Sequence, residues 1–297
     1  MRVFVTGATG FIGSLIVQDL ITAGHQVLGL TRSEEGAKFL RDAGAQVHHG
    51  NIEDLDSIRA GAAASDGVIH CAFNHDFSKF VANCENDRKV IETLGSELQG
   101  SNRPLVVTSG TAIAGAAGRI STEDDPPVPS SVIPRGASEE AADAAASRGV
   151  RVSVIRLPQV HDREKQGLVT YAIQMAREKG VSAYIGEGLN RWPAVHRFDA
   201  ARVYRLVLER GIEAGPFHAV AEDGVPFKAI AEVIGRRLNL PVVSKSSNEA
   251  AGHFGWFAMF AGFDVPTSSE RTRALLGWQP EQPGLIADID HPAYFAR

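Results

Sequence analysis

Seven residues near the amino end constrain the fold more than any others: Gly7-Ala8-Thr9-Gly10-Phe11-Ile12-Gly13. They follow directly on the apolar segment Arg2–Thr6 and open an amphipathic pattern over Phe11–Ala23. Glycines at these spacings allow a tight turn, a close approach of backbone to a pyrophosphate, and close helix–sheet packing. The helix start then offers free N–H groups and a partial positive charge to the phosphates, which makes the main chain of Thr9, Phe11 and Ile12 a candidate cofactor contact with the three glycines. The plainer alternative is a glycine turn that merely packs.

The pattern continues along the first half of the chain. Strands are expected at Arg2–Thr6, Gln26–Leu30, Ala45–His48, Gly67–Cys71, Pro104–Ser109 and Val150–Arg156. Helices are expected at Phe11–Ala23, Glu34–Ala43, Asp54–Ala60, Phe77–Leu98 and Ser138–Ala146. The strands are apolar throughout rather than alternating, as in a parallel sheet buried on both faces. The expected fold class is α/β, a doubly wound parallel sheet of the Rossmann type with its ligand at the carboxyl ends of the strands. After Leu157 the rhythm breaks. Pro158–Gln166 reads as a loop, Gly167–Lys179 and Phe198–Glu209 as helices, and Ser182–Trp192 as mixed, with a turn at Gly186 and Gly188. Pro216–Val220 reads as one more strand of the sheet and Val242–Ser244 as a short separate one. The expected division is a dinucleotide-binding domain of residues 1–157 plus 197–223. A smaller mixed C-terminal substrate lobe would comprise 158–196 plus 224–297.

Composition narrows the function classes. Of 297 residues, 44% are hydrophobic and 22% charged, which suits a globular protein and not a disordered one. Thirty Lys and Arg against 35 Asp and Glu leave a net charge of −5, so no basic excess is present to grip nucleic acid. No charged start followed by an apolar stretch marks a leader, and no apolar run is long enough to span a membrane. Two cysteines, Cys71 and Cys84, make no disulfide framework, so a reducing, cytoplasmic setting is expected. Ten histidines are scattered without a His-x-x-x-His spacing, His48 and His49 point to opposite faces of a strand, and no Cys-x-x-Cys occurs; no metal site is expected. No Gly-x-Ser-x-Gly elbow points to a hydrolase.

The end of the second strand selects the dinucleotide. An acid there would bind the ribose hydroxyls of NAD; the chain instead reads Thr31-Arg32-Ser33. Arg32 offers a fixed cation with a fork suited to a 2′-phosphate and Ser33 a hydroxyl, which favours NADP(H) over NAD(H). Glu34 and Glu35 are expected to begin the next helix. The alternative for Arg32 is a solvated loop charge.

Later stretches strengthen the glycine motif. Gly50-Asn51-Ile52-Glu53-Asp54, Val68-Ile69-His70-Cys71-Ala72, Val195-His196-Arg197-Phe198-Asp199-Ala200-Ala201 and Leu276-Gly277-Trp278-Gln279-Pro280 follow in order. With Gly7–Gly13 they resemble the extended and atypical branch of the short-chain dehydrogenase/reductase family, in its epimerase/dehydratase-like group, over nearly the whole chain. The resemblance implies that Asn51 and Ile52 flank the adenine, that Cys71, Ala72 and Phe73 line the cofactor, and that Ser109 lies near the nicotinamide ribose. Asn51 stands where that family has Asp, keeping an acceptor without the charge. The alternative for Cys71, which we prefer, is a small buried hydrophobe.

The family's catalytic signature is missing. Its Ser or Thr position falls on Gly110, beside Ser109 and Thr111. Its Tyr-x-x-x-Lys falls on Arg135 and Glu139. None of the four tyrosines begins such a motif. An arginine stays protonated and cannot relay a proton, although it can polarise a carbonyl or clamp a carboxylate. The plainest reading of Ser138-Glu139-Glu140 is a solvent-facing helix cap with acids in the first turn. A proton donor must then come from elsewhere. His75, beside Asp76, and His161, after the sixth strand, are the leading candidates. Ser109, Thr111, Tyr184 and, less directly, His196 follow. Each is equally a cleft-lining or capping polar residue, and Asp76 a helix start. Three functions remain open: an NADP(H)-dependent reductase of a small carbonyl compound, a non-catalytic NADP(H)-binding sensor, and an epimerase or dehydratase with transient hydride transfer. The aromatic run His253–Phe260 suits an apolar pocket or lid, or plain core packing. The helix Phe77–Leu98 offers a homodimer face, polar at Asn83, Glu85 and Asp87.

Overall fold

Strands that are apolar on both faces need cover on both, and the chain supplies it. The structure, a computed structural model, describes residues 1–115, 118–164, 167–211 and 215–296. Its first half runs β1 (Arg2–Thr6), α1 (Gly13–Thr22), β2 (Gln26–Thr31), α2 (Glu34–Asp42), β3 (Gln46–His49), α3 (Leu55–Ala63), β4 (Gly67–His70), α4 (Phe80–Leu98), β5 (Pro104–Gly110), α5 (Ala137–Ala146) and β6 (Arg151–Leu157). There follow β7 (Gln159–His161), α6 (Gly167–Lys179), β8 (Ser182–Ile185), β9 (Arg191–His196), α7 (Arg197–Arg210), β10 (Pro216–His218) and β11 (Glu222–Pro226). The chain closes with α8 (Phe227–Leu238), β12 (Val242–Lys245), α9 (Ser247–Phe254), α10 (Ala258–Ala261), α11 (Glu270–Leu276) and α12 (Leu285–Ile289).

Seven strands form one parallel sheet in the order β10-β6-β5-β4-β1-β2-β3. The doubly wound α/β fold read from the sequence is thus present, with the Pro216 segment as its edge strand. One face packs on α1 and α7 through Leu15, Ile16, Val203, Tyr204 and Val207; the other packs on α3, α4 and α5 through Ile58, Val90, Leu94 and Ala141. Strand order reverses between β1 and β4, which opens a crevice at their carboxyl ends. A second core gathers Trp192, Phe227, Ile230, Phe254, Phe257 and Leu285 around α6, α8 and α9. Beside it lie a three-stranded sheet, β11-β9-β7, and the pair β12-β8.

The Pro158–Gln166 stretch differs from its reading as a loop. Gln159–His161 forms β7, because β9 supplies parallel partners from Ala194 to His196 that lie 35 residues away in sequence. Lys165 and Gln166 of that stretch fall outside the described residues. Two weak sequence motifs explain each other. Buried Asp199, on α7, accepts the amides of Glu281 and Gln282, and the Trp278 indole N–H donates to the Asp199 carbonyl at 3.1 Å. The family-like step at 195–201 is therefore the anchor for the Leu-Gly-Trp segment, which returns the C-terminal chain to the sheet.

The glycine turn is tightly built. Gly7 has φ +69°, and a Cβ on it would lie 2.8 Å from the Ala72 nitrogen. A Cβ on Gly13 would lie 2.0 Å from the Gly7 carbonyl oxygen, so α1 can approach β1 only with hydrogen there. Gly13→Ala is expected to cost about 2–3 kcal/mol through this overpacking. Urea denaturation measures it; a change within about 0.5 kcal/mol would mean that the turn has slack.

Candidate active site

The cofactor cradle begins at the crevice. Gly10 N donates to Gly7 O at 2.8 Å, closing the turn, and α1 starts at Gly13 with no side-chain cap on its amino end. The Gly7 main chain presses on Cys71 and Ala72 after β4. At the next corner, Ser33 caps α2 by accepting the Gly36 amide at 3.1 Å, and Glu34 and Glu35 form the first helical turn, as the sequence suggested. The Ser33 hydroxyl keeps its own hydrogen to donate. The methyl of Thr9 reaches this same corner, 3.1 Å from where a Gly36 Cβ would stand. Arg32 is exposed beside it and forms no ion pair or hydrogen bond with a described residue. Glycine backbone at the pyrophosphate position, with a free cation and a hydroxyl at the ribose position, fits a dinucleotide.

Asn51 spends its carboxamide oxygen on the amides of Glu53 and Asp54, at 2.7 and 3.1 Å, so it shapes the loop and keeps its NH₂ uncommitted. Half-buried Ile52 lies in the same loop, which Asn86 of α4 holds through the Ile52 carbonyl. Cys71 donates its thiol to Thr6 O at 2.9 Å, and burial pushes its pKa up to about 12, so it behaves as a small inert filler. Phe11 lies under the Arg197 guanidinium, 5.0 Å from its ring centroid.

Beyond the ends of β4 and β5 lies a polar cluster that the sequence reading did not foresee. The Asp87 carboxylate, on α4, is buried; it accepts from His70 Nε2 at 2.9 Å, Arg135 Nη1 at 2.6 Å and Ser138 Oγ at 2.6 Å. His70 Nδ1 lies 2.7 Å from Thr6 Oγ1, which itself accepts the Ala72 amide at 3.3 Å. The chain of bonds thus runs from Asp87 through His70 and Thr6 to the Ala72 amide. Arg135 also donates Nη2 to Thr108 O at 2.9 Å and stacks over Phe73, 4.2 Å from its centroid. Burial alone would lift the Asp87 carboxyl, but the Arg135 charge, His70 and Ser138 outweigh it and hold it well below the usual carboxylate range. A signal for Asp87 existed: it occupies the buried stripe of α4 with Cys84, Ile91, Leu94 and Leu98. It therefore does not belong to a polar outer seam with Asn83 and Glu85.

The reading of Ser138-Glu139-Glu140 as a solvent-facing cap is corrected. Ser138 and Glu139 are buried, and α5 has no side-chain cap. Glu139 pairs with fully buried Arg156 of β6 through two bonds of 2.8 Å each. Arg156 Nη1 also lies 3.3 Å from His218 Nε2. The other His218 nitrogen contacts Ser268 O at 2.8 Å, so His218 is the neutral Nδ1–H tautomer accepting from Arg156. Burial pushes His218 below the usual histidine range. Only Glu140 remains at the rim, with Arg88 and Ser130.

The remaining candidates separate. Ser109 stands opposite Arg156 in the β5–β6 register, on the face covered by α5; its hydroxyl is buried without a hydrogen-bond partner. Thr111 is buried just beyond. His75 is exposed between Phe73 and Phe77, ring edges to faces at 5.4 and 6.2 Å, while Asp76 accepts from the Ser78 amide and hydroxyl to start the turn before α4. His161 is buried, bonded through Nδ1 to Asp288 at 2.8 Å, with His196 edge-on at 5.6 Å and capping α7. Tyr184 lies in the β12-β8 pair with the Lys228 ammonium 5.4 Å over its ring. Ser109, Phe73 and His75 thus gather at the strand ends; His161 and Tyr184 belong to the second core's edge.

A wall of aromatic rings connects to this cluster through Phe73. Phe77 stacks on Trp256 at 5.4 Å, and Tyr171 and Phe260 meet both edge-on. Phe80 links the wall to Phe73.

Comparison with known proteins places this geometry. The model of the NAD dependent epimerase/dehydratase family matches residues 3–220. The chain belongs to this family. An uncharacterized protein of Schizosaccharomyces pombe is 50% identical to this family member over 296 residues, covering 99% of this chain and all of that one. A decarboxylating sterol-4-alpha-carboxylate 3-dehydrogenase of Dictyostelium discoideum is 28% identical over 248 residues, 76% of this chain and 73% of that one. Among solved structures, the dTDP-glucose 4,6-dehydratase DesIV of Streptomyces venezuelae, with NAD bound, shares the fold with TM-score 0.77 at 18% identity, covering 99% of this chain and 97% of that one. As an epimerase/dehydratase-family protein the chain is of the NAD(P)-dependent oxidoreductase type, and it carries Arg135 and Glu139 in place of the expected Tyr and Lys.

The buried groups make stability pH-dependent in a definite direction. His218 and Asp87 titrate lower in the folded chain than at their ordinary values of 6.5 and 3.8, so the unfolded chain takes up protons first as pH falls. Their contributions are full above about pH 6.5; His218's is lost below that value and Asp87's below about pH 4. Asp87→Asn is expected to lower stability at neutral pH by about 3 kcal/mol, because it strands Arg135, and to flatten the acid limb below about pH 4. Chemical denaturation across pH checks both; an unchanged acid limb would remove Asp87 from the account.

Proposed function

We propose that this protein is an NADP(H)-dependent oxidoreductase that reduces a small carbonyl compound without the tyrosine proton donor of its relatives. The observation that carries the reading is the end of β2. Thr31 stands where an NAD-selecting acid would, and the exposed Arg32 guanidinium stands uncommitted beside the capping hydroxyl of Ser33. Gly7, Gly10 and Gly13 would hold the pyrophosphate, Arg32 and Ser33 the 2′-phosphate, Asn51 and Ile52 the adenine side, and Ser109 the nicotinamide end. When bound, the dinucleotide supplies a hydride. The protein's own part is to hold the acceptor at the ends of β4 and β5 and to keep it dry beneath the aromatic wall. A sugar nucleotide is a poorer fit, because Arg191 and Arg197 already face acids, Asp264 and Asp162. The same reading places the protein in the cytoplasm, with a small molecule and not nucleic acid or membrane as its partner. A homodimer across α4 is compatible with it.

One observation favours a second reading, a dinucleotide-binding sensor without turnover. The groups at the Tyr and Lys positions are both tied into buried ion pairs. Under that reading the dinucleotide changes oligomeric state and no carbonyl compound is consumed.

Titration of coenzyme fluorescence and thermal shift decide the cofactor. NADPH is expected to bind at least about tenfold tighter than NADH, and Arg32→Asp to weaken NADPH about a hundredfold while leaving NADH within a few-fold, from loss of a charged phosphate contact. Equal affinity for both coenzymes in the unaltered protein would overturn the NADP(H) preference. Binding of neither would overturn the whole reading.

A further inference from the structure

A side chain that never gives up its proton still has donors to offer. Arg135 directs Nη1 at Asp87 and Ser138 and one Nη2 hydrogen at Thr108 O. Its Nε–H and second Nη2 hydrogen bond to no described residue, and the side chain keeps 15% of its surface exposed. The guanidinium stacks on Phe73, just after β4, and bonds Thr108 O near the end of β5, at the carboxyl edge of the sheet where folds of this kind take their ligands. Asp87 cancels the net charge, so the site presents aimed N–H groups. Asp87, Ser138 and Thr108 fix the guanidinium and His70 holds Asp87 in turn, the preorganisation that makes such donors effective.

The surroundings say what carries the oxygen. Phe73 leads through Phe80 to Phe77, Tyr171, Trp256 and Phe260, a wall of stacked and edge-on rings. Trp256 is 50% exposed although it stacks on Phe77, so part of this ring cluster stays open to solvent. A flat apolar body against these rings, with an oxygen toward Arg135, satisfies both features.

We propose that Arg135 is a catalytic residue that binds the substrate's carbonyl oxygen, and that the substrate is an aromatic aldehyde or ketone whose ring lies on the Phe77–Trp256 wall. The inference rests on the reductase reading above. In the step, the carbonyl carbon gains a hydride, the C–O π bond breaks, and its electron pair moves to the oxygen held by Arg135. Water then protonates that oxygen, giving the alcohol and hydroxide, and the dinucleotide leaves oxidised. Arg135 polarises the oxygen and stabilises its charge, and no protein group titrates in the process.

The test uses the full chain. Trp192 and Trp278 are buried, so quenching of tryptophan fluorescence by a bound ligand reports mainly Trp256. Benzoate, a flat ring with an anionic oxygen, is expected to quench it saturably without dinucleotide present, and Trp256→Phe to remove the signal. Arg135→Met is expected to weaken benzoate at least about tenfold, leave NADPH affinity within about twofold, and lower kcat on benzaldehyde about a hundredfold. Arg135→Lys is expected to recover part of the benzoate affinity. In the unaltered enzyme kcat/KM is expected to stay flat from about pH 6 to about pH 9. If Arg135→Met does not fold, Arg135→Lys and the pH profile decide. A limb with its midpoint near pH 6.5 would assign the proton to a histidine such as His75 and overturn the inference, as would benzoate binding indifferent to residue 135. If NADPH does not bind, the reductase reading fails by itself, and the benzoate titration still shows whether Arg135 faces a ligand.

Discussion

One buried carboxylate organises the centre of this molecule. Asp87 projects from α4 and joins β4 through His70 and the start of α5 through Arg135 and Ser138. An unpaired carboxylate at that depth would be strongly destabilising, so these partners are obligatory. Because Arg135 also reaches Thr108 O, the same interaction fixes where β5 ends relative to α5. The mouth of the cleft is thus held by charge-assisted bonds where apolar packing gives out, and its shape follows from satisfying one acid.

A second buried pair, Glu139 with Arg156, does for the back of α5 what Asp87 does for its front. The two pairs have opposite sense. The turn before α5 contributes a cation at residue 135 and α5 itself an anion at residue 139, each answered by a neighbouring element. The segment where the family resemblance puts Tyr-x-x-x-Lys thus packs through two buried ion pairs. The glycine turn at β1 is untouched by the exchange, since it depends on main-chain proximity at Gly7 and Gly13 and not on α5.

Legibility in the sequence followed the range of the interactions. The parallel sheet, the glycine turn, the start of α2 at Glu34 and the edge strand at Pro216 were readable because period, turn chemistry and helix starts are local. β7 was not, since three residues after a proline become a strand only when β9 arrives beside them. The burial of Ser138 and Glu139 was missed for a related reason. Acids in a first helical turn suit solvent and the helix dipole equally well, and only Arg156, from another strand, makes Glu139 an interior residue. Asp87 stood on an apolar stripe and was open to inspection, but its helix carries enough surface polarity to hide it. Of the proposed proton donors, sequence proximity to strand ends placed Ser109 and His75 at the cleft. The same proximity did not distinguish His161, which Asp288 draws into the seam beneath the second core.

The opposed pairing around α5 also limits what these positions can hold. A tyrosine at position 135 by itself would leave Asp87 without its counter-charge, and a lysine at 139 would be set against Arg156. Each residue is therefore bound to the partner in place, and either can be exchanged without stranding a buried charge only when its partner is exchanged with it.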